Sequence, residues 1–294
     1  MTDTSLPKNN TKSLAFGLAA VLLWSTVATA FKLGLAHMTP AQLLWISSCS
    51  ALCVFFVAYL FTKPSWSLPK GWCWVVLFGV INPFLYYLVL LEGYDRLPAQ
   101  VAQPLNYLWA IVYALLAVPI LKQRLSWKIV GGIFVSYLGV VLLLTRGDVT
   151  AFDTFSTVGI FLILASTVLW ACYWLYQQKL AIPPLQFMLI GFTVGTVLIG
   201  CYCLTTDGLP ELTPINLSYG IWIGCFEMGL TYLLWQRALA LSTYVASVSQ
   251  LIFLSPIISL GFIQFILGEP VHVFTLVALP IILLGVIIVR RSIS

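Results

Sequence analysis

Apolar residues run along this chain in long blocks, separated by short stretches that carry the polar residues and many of the prolines. The blocks fall at roughly 14–34, 41–62, 71–91, 98–121, 127–145, 157–178, 184–205, 217–238, 243–267 and 273–290. A helix needs about 20 mostly apolar residues to cross a bilayer, so the pattern predicts ten membrane spans joined by short loops, with no separate soluble domain. Residues 1–13 form a polar N-terminal tail, 146–156 a linker between the fifth and sixth spans, and 291–294 a short C-terminal tail. The opening MTDTSLPKNNTK flanks a full-length span and carries no small-residue cleavage pattern, so the first span reads as retained.

Composition agrees with the pattern. Hydrophobic residues make up 61% of the 294 and charged residues only 8%, with a mean hydropathy of +1.02, which places the chain among polytopic membrane proteins. Charge adds an orientation. If the spans alternate, the N-terminal side collects Lys8, Lys12, Lys63, Lys70, Lys122, Arg124, Lys128, Lys179, Arg237, Arg290 and Arg291, and the other side only Lys32, Arg96 and Arg146. Positive residues favour the cytoplasmic side, so both termini are expected in the cytoplasm of a cell (inner) membrane. The net +5 is therefore an orientation signal. No clustered basic face exists for nucleic acid.

The second half repeats the first. At a displacement of 146 positions, Leu22-Leu23-Trp24 meets Val168-Leu169-Trp170, Tyr86 meets Tyr232, Leu121 meets Leu267, and Gly139-Val140 meets Gly285-Val286. Two copies of five spans, 14–145 and 157–290, must insert with opposite orientation because five is odd. Inverted repeats place a binding site near the midplane, where rocking gives alternating access. The expected fold is all-α, with ten transmembrane helices as two inverted five-helix repeats around a central cavity.

Ala238-Leu239, Ala246, Pro256, Leu267-Gly268-Glu269 and Gly285-Val286 in the second half are similar to the EamA-type repeat of the drug/metabolite transporter superfamily. The first half departs from it: Ala110 stands where Pro256 does, and Lys122-Gln123-Arg124 replaces Gly-Glu-Pro. Leu23-Trp24-Ser25-Thr26 and Asn106-Tyr107-Leu108-Trp109 resemble the aromatic amino acid exporter branch. The resemblance implies ten helices around a cavity, no ATP hydrolysis, and export of small metabolites, with no particular substrate.

Candidate chemistry gathers in a few places. Span 4 opens on Pro98 to Trp109, where Gln100, Gln103 and Asn106 or Tyr107 fall on one helical stripe. Side-chain amides are unfavourable in hydrocarbon without partners, so the stripe is expected to face protein or water and to line an outward-facing vestibule. Glu227 is the one acid placed within a span. An ionised carboxylate at the bilayer centre is disfavoured by roughly 2.5–3.5 kcal/mol on insertion scales. It reads as a counter-ion for a substrate ammonium or as a proton-coupling site, or else as a neutral tie between helices.

Asn82-Pro83 can break span 3, with Tyr86 and Tyr87 on the next turn. Trp24, Trp109, Trp170, Tyr173 and Tyr232 lie deep enough to wall a cavity, whereas Trp66, Trp72 and Trp74 read as interfacial anchors. Span 9 adds Ser247, Ser249, Gln250 and Ser255-Pro256. The expected substrate-binding set is Trp24, Asn82, Tyr86, Gln103, Asn106, Tyr107, Trp109, Trp170, Tyr173, Glu227, Tyr232 and Gln250, with Glu227 also the coupling residue.

Other classes lack their chemistry. The seven cysteines form no C-x-x-C pair, and His37 and His272 are the only histidines, so neither a metal nor another cofactor is expected. Glu227 has no second carboxylate at helical spacing, and there is no nucleotide-binding glycine loop. A membrane enzyme is therefore disfavoured against a carrier, whether exporter, exchanger or proton-coupled importer. The partners implied are a small-molecule substrate and the lipid bilayer. Uniformly apolar spans 5 and 10, the former with Gly131, Gly132 and Gly139, read as lipid-facing or as a homodimer surface.

Overall fold

The structure is a computed structural model and describes residues 8–62, 72–121, 127–148, 155–180, 183–243, 248 and 250–291. Apart from short breaks, the described residues are helical where hydropathy places a span. The helices are α1 (Asn10–Ser25), α2 (Val27–Leu35), α3 (Pro40–Thr62), α4 (Trp72–Gly79), α5 (Tyr86–Arg96), α6 (Ala99–Asn106), α7 (Trp109–Leu121), α8 (Trp127–Thr145), α9 (Thr157–Leu180), α10 (Pro184–Thr205), α11 (Pro214–Trp222), α12 (Leu230–Leu241), α13 (Ser255–Ile266) and α14 (Val273–Arg291). Among the described residues, seven helical stretches are long and apolar enough to cross a membrane, and Leu251–Ile266 and Val273–Val289 are shorter apolar helices.

Several expected spans are interrupted. Span 1 bends at Thr26, whose hydroxyl donates to the Leu23 carbonyl at 2.8 Å. Span 3 breaks over Val80–Leu85, where Asn82 is extended (φ −139°, ψ 120°) and the Asn82–Pro83 peptide is cis. Span 4, expected as one helix over 98–121, stops at Asn106 and restarts at Trp109. Proline interrupts a helix because it has no N–H and its ring crowds the preceding turn, and Pro104 lies within α6. Span 8 passes through a π-helical stretch at Ile223–Gly229, and span 9 contains a 3-10 turn at Gln250–Leu254 before α13.

These interruptions follow the repeat. Displaced by 146 positions, the break in span 3 falls on that in span 8, and the gap between α6 and α7 falls on the junction of the 3-10 turn with α13. Broken helices at corresponding positions in two halves are what repeat-built transporters use to line a site.

The chain divides into two compact units, and each draws on both repeats. One holds Met1–Leu88 with Leu180–Ser259. Within it α1 packs on α12, while α3 lies against α10 and the Ile223–Gly229 stretch. The start of α1 is tied to the end of α12: Asn9 N donates to the Leu241 carbonyl at 2.9 Å, and Ser13 Oγ to that of Ala238 at 2.7 Å. The π-helical stretch meets α3 at Gly224, where a Cβ would collide with the Ser47 carbonyl and Ser50. In span 3, Gly79 lies against Gly191 and Pro83 against Gly195 of α10, and a Cβ on Gly79 or Gly195 would collide with the facing helix. Several hydroxyls on these helices are satisfied locally, whereas those of Thr29 and Thr196 are buried without a partner among the described residues. Ser25, Ser47 and Ser50 donate to the carbonyls four residues back at 2.7, 2.8 and 2.8 Å.

The other unit holds Val89–Lys179 with Leu260–Ser294. Its most extensive helix pair is α8 with α14, spans 5 and 10. Gly139 faces Ala278 and Ile282, and the repeat-related Gly285 faces Gly132 and Ser136. Ser136 Oγ donates to the Ile282 carbonyl at 3.0 Å, and these two residues are themselves 146 positions apart. The spans expected to face lipid or a second copy thus each turn one face to the other. Opposite faces remain exposed, with Phe134 and Tyr137 on α8 and Val273, Leu276 and Leu284 on α14.

A Cβ on Gly139 would stand 2.9 Å from the Ile282 nitrogen and 3.0 Å from the Ala278 carbonyl, whereas nothing lies within 4 Å of one on Gly131. Gly139→Leu is therefore expected to destabilise the protein by ~1–3 kcal/mol, and Gly131→Leu to be nearly neutral. Thermal unfolding in detergent distinguishes them; equal melting temperatures would contradict this packing.

Candidate functional site

The two helix breaks in the first unit put their chemistry in one place. At the span 3 break, the Tyr86 N–H bonds to the Ile81 carbonyl five residues back. At the span 8 break, Leu230 does the same to Cys225, and the Thr231 hydroxyl takes the Phe226 carbonyl that the wide turn leaves over. Such irregular backbone is tolerated at membrane depth only where protein or water satisfies it. Tyr87 follows the first break directly and Glu227 sits inside the second. Tyr87 Oη donates to Glu227 Oε1 at 3.2 Å.

The rest of the carboxyl is not so provided. Glu227 Oε2 is buried and has no hydrogen-bond partner among the described residues. A buried acceptor left unpaired is disfavoured by about 1–3 kcal/mol, and by more when charged. Around it stands an aromatic wall. Tyr86, Tyr87 and Tyr232 are all buried, and Tyr86 and Tyr232 neighbour the Tyr87 hydroxyl. The Tyr86 and Tyr87 rings meet edge to face at 4.7 Å. Trp24 meets Tyr232 at 6.2 Å and Trp235 at 5.4 Å, also edge to face. Asn82 is buried in the same unit, with Oδ1 unpartnered among the described residues.

The stripe on span 4 belongs to the second unit, and it divides. The Gln100 amide is engaged with the first turn of α14 and the segment before it. It donates to the Pro270 carbonyl at 2.9 Å and accepts from His272 N at 3.0 Å and Thr275 Oγ1 at 3.2 Å. Gln103, one turn on, is 5% exposed and its Oε1 has no partner among the described residues. Asn106 ends α6 and donates to Ser166 Oγ of α9 at 3.3 Å. Trp170 stands one turn beyond Ser166 and stacks on buried Tyr173 at 5.9 Å. Tyr107 and Trp109 are half-buried at the gap in span 4, with Trp109 edge-on to Tyr113 at 6.5 Å. Ser247 and Ser249, with the side chain of Gln250, lie outside the described residues.

The expected set therefore falls into two groups: Trp24, Asn82, Tyr86, Glu227 and Tyr232 in one unit, and Gln103, Asn106, Tyr107, Trp109, Trp170 and Tyr173 in the other. Tyr87 and Trp235 join the first group, although sequence reasoning did not single them out as binding residues. Their signals were positional: Tyr87 is one turn past a proline break, and Trp235 is three residues after Tyr232. Among the described residues no group of three or more His, Cys, Asp or Glu could hold a metal ion.

The duplicated pattern of apolar helices has counterparts among known proteins. The EamA-like transporter family matches residues 11–145 and again 157–291. The chain belongs to the EamA-like transporter family. Being an EamA-like transporter, it is a transporter and not an enzyme. It is similar to the uncharacterized transporter YyaM of Bacillus subtilis, 26% identical over 81% of this chain and 80% of that one. It is also similar to the aromatic amino acid exporter YddG of Escherichia coli, 27% identical over 76% of this chain and 78% of that one. A solved crystal structure shares the EamA-like chain's fold with a TM-score of 0.68 at 20% identity, covering 97% of this chain and 100% of that one.

The Tyr87–Glu227 bond makes a prediction separable from transport. In a double-mutant cycle of Tyr87→Phe and Glu227→Gln on detergent melting, the two losses are expected to couple by about 0.5–3 kcal/mol. Strictly additive losses would mean that the two side chains do not interact.

Proposed function

We propose that this transporter is a secondary carrier that exports small amphipathic metabolites, amino acids or related amines being the favoured class, by alternating access between two inverted repeats, 14–145 and 157–290. The observation that carries this reading is the Glu227 carboxyl. One oxygen is held by Tyr87, and the other is buried without a partner among the described residues, beside an aromatic wall. A substrate ammonium would complete it with a charge-assisted hydrogen bond, and Trp24 and Tyr232 would supply faces for an apolar or cationic group. Gln103, Asn106, Tyr107, Trp109, Trp170 and Tyr173, all of the other unit, and Gln250 are proposed as further substrate contacts. The similarity to YddG, an aromatic amino acid exporter, supports both the amino acid class and the outward direction.

A proton could satisfy the same oxygen. This favours, as a second reading, an exchanger or proton-coupled importer in which Glu227 exchanges a proton for substrate. The uneven distribution of Lys and Arg supports a cell-membrane location with both termini cytoplasmic. If two copies associate through spans 5 and 10, they would use the exposed faces around Phe134, Tyr137 and Leu284, because the glycine faces are already occupied.

Purified protein is expected to be stabilised against heat by an amino acid or amine, and that ligand to show counterflow in proteoliposomes. Glu227→Gln should leave expression close to the parent while lowering flux at least about tenfold, the effect of removing one charge-assisted contact. Normal flux with unchanged pH dependence in Glu227→Gln would refute the assignment. No stabilisation by amino acids, polyamines or nucleosides would refute the substrate class.

A further inference from the structure

The start of α6 is held in a way that neither repeat motif nor hydropathy suggests. The first N–H groups of a helix have no partners within it and carry its positive dipole end. In α6 they meet the Glu269 carboxylate: Ala99 N donates to Oε1 at 3.2 Å and Gln100 N to Oε2 at 3.5 Å. Gln100 in turn serves the start of α14, through Pro270, His272 N and buried Thr275. The two helix starts therefore cap each other. All these residues lie in the same unit.

The clamp matters because α6 cannot set its own orientation. It has 8 residues, and Pro104 removes one of its internal hydrogen bonds. Helices this short are unstable alone, so contacts at the ends decide how α6 is rotated. At the far end Asn106 is bonded to Ser166, and beyond it the helix is interrupted. Between the two anchors lies Gln103, buried, with its carbonyl oxygen unpartnered among the described residues. The first repeat has Gln123 where the second has Glu269, so a carboxylate stands at this position in one half only.

We propose that Glu269 and Gln100 are positioning residues that fix the rotation of α6 and so hold Gln103 in place. The functional weight of this rests on the reading of Gln103 as a substrate contact, but the clamp itself can be tested without any substrate. Two measurements suffice. Amide hydrogen exchange on the purified full chain should show Ala99–Val101 protected. Glu269→Ala should speed exchange there about tenfold, the scale of a lost helix cap, and also speed it at 272–275 across the clamp. Gln100→Ala should do the same from the other side, which keeps the test available if one variant fails to fold.

In a background with the native cysteines replaced by serine, a thiol introduced by Gln103→Cys should react slowly with a small maleimide. Adding Glu269→Ala should raise that rate about tenfold, and Glu269→Gln, which keeps an acceptor, should raise it less. A lost helix cap with an unchanged rate at position 103 would overturn the positioning role. Unchanged exchange at 272–275 in Glu269→Ala would overturn the clamp. Failure of every metabolite to show flux would instead count against the transport role of Gln103 and leave both of these results standing.

Discussion

Hydrocarbon offers no hydrogen bonds, and that constraint shapes most of this molecule. Each polar group placed at membrane depth must find a partner in the protein, or wait for one. Most hydroxyls bond to the carbonyl one turn back, as Ser25, Ser47 and Thr231 do. Gln100 uses its whole amide to join two helix starts. At Glu227, Tyr87 satisfies one oxygen and nothing described satisfies the other. Asn82 Oδ1, Gln103 Oε1 and the hydroxyls of Thr29, Thr196, Ser255 and Ser259 are likewise buried without a partner among the described residues, and Glu227 is the one of these groups that carries a carboxyl.

Reaching that arrangement requires broken helices, and broken helices require close support. The π-helical stretch in span 8 brings Gly224 against α3, and Pro83 in span 3 fills the surface at Gly195 of α10. Small residues let backbones approach, which replaces the hydrophobic driving force that lipid does not provide between helices. The same device, with no functional polar group in it, joins α8 to α14 through Gly132, Gly139 and Gly285. One packing rule thus serves both a site and a scaffold.

The duplication is visible in the irregularities more than in the sequence identity. The breaks in spans 3 and 8 correspond, as do those in spans 4 and 9, and so do the reciprocal glycine contacts of spans 5 and 10. Yet the repeats are not the compact units. Each unit takes helices from both repeats, so that Tyr87 of the first repeat can meet Glu227 of the second. The side chains at these matched positions differ: the repeat mate of Glu227 is Ile81, and that of Glu269 is Gln123. Symmetry supplies the breaks, and asymmetric substitution supplies the chemistry.

Sequence alone determined the class of fold, the places of the apolar helices and the duplication, and it singled out Glu227 and Gln103 as polar groups at membrane depth. Each of these depends on local quantities: transfer free energy summed over a window, charge counted per loop, and an acid or amide where neither is tolerated without reason. Tertiary structure decided the rest. It separated Gln100 from Gln103, although both lie on one helical stripe, because the 269–275 segment reaches only the first. It broke spans 4 and 8 where hydropathy is continuous, since a break is stable only when a neighbouring helix accommodates it. It also paired Glu227 with Tyr87, 140 positions away, a choice made by the packing of distant helices and not by any local pattern.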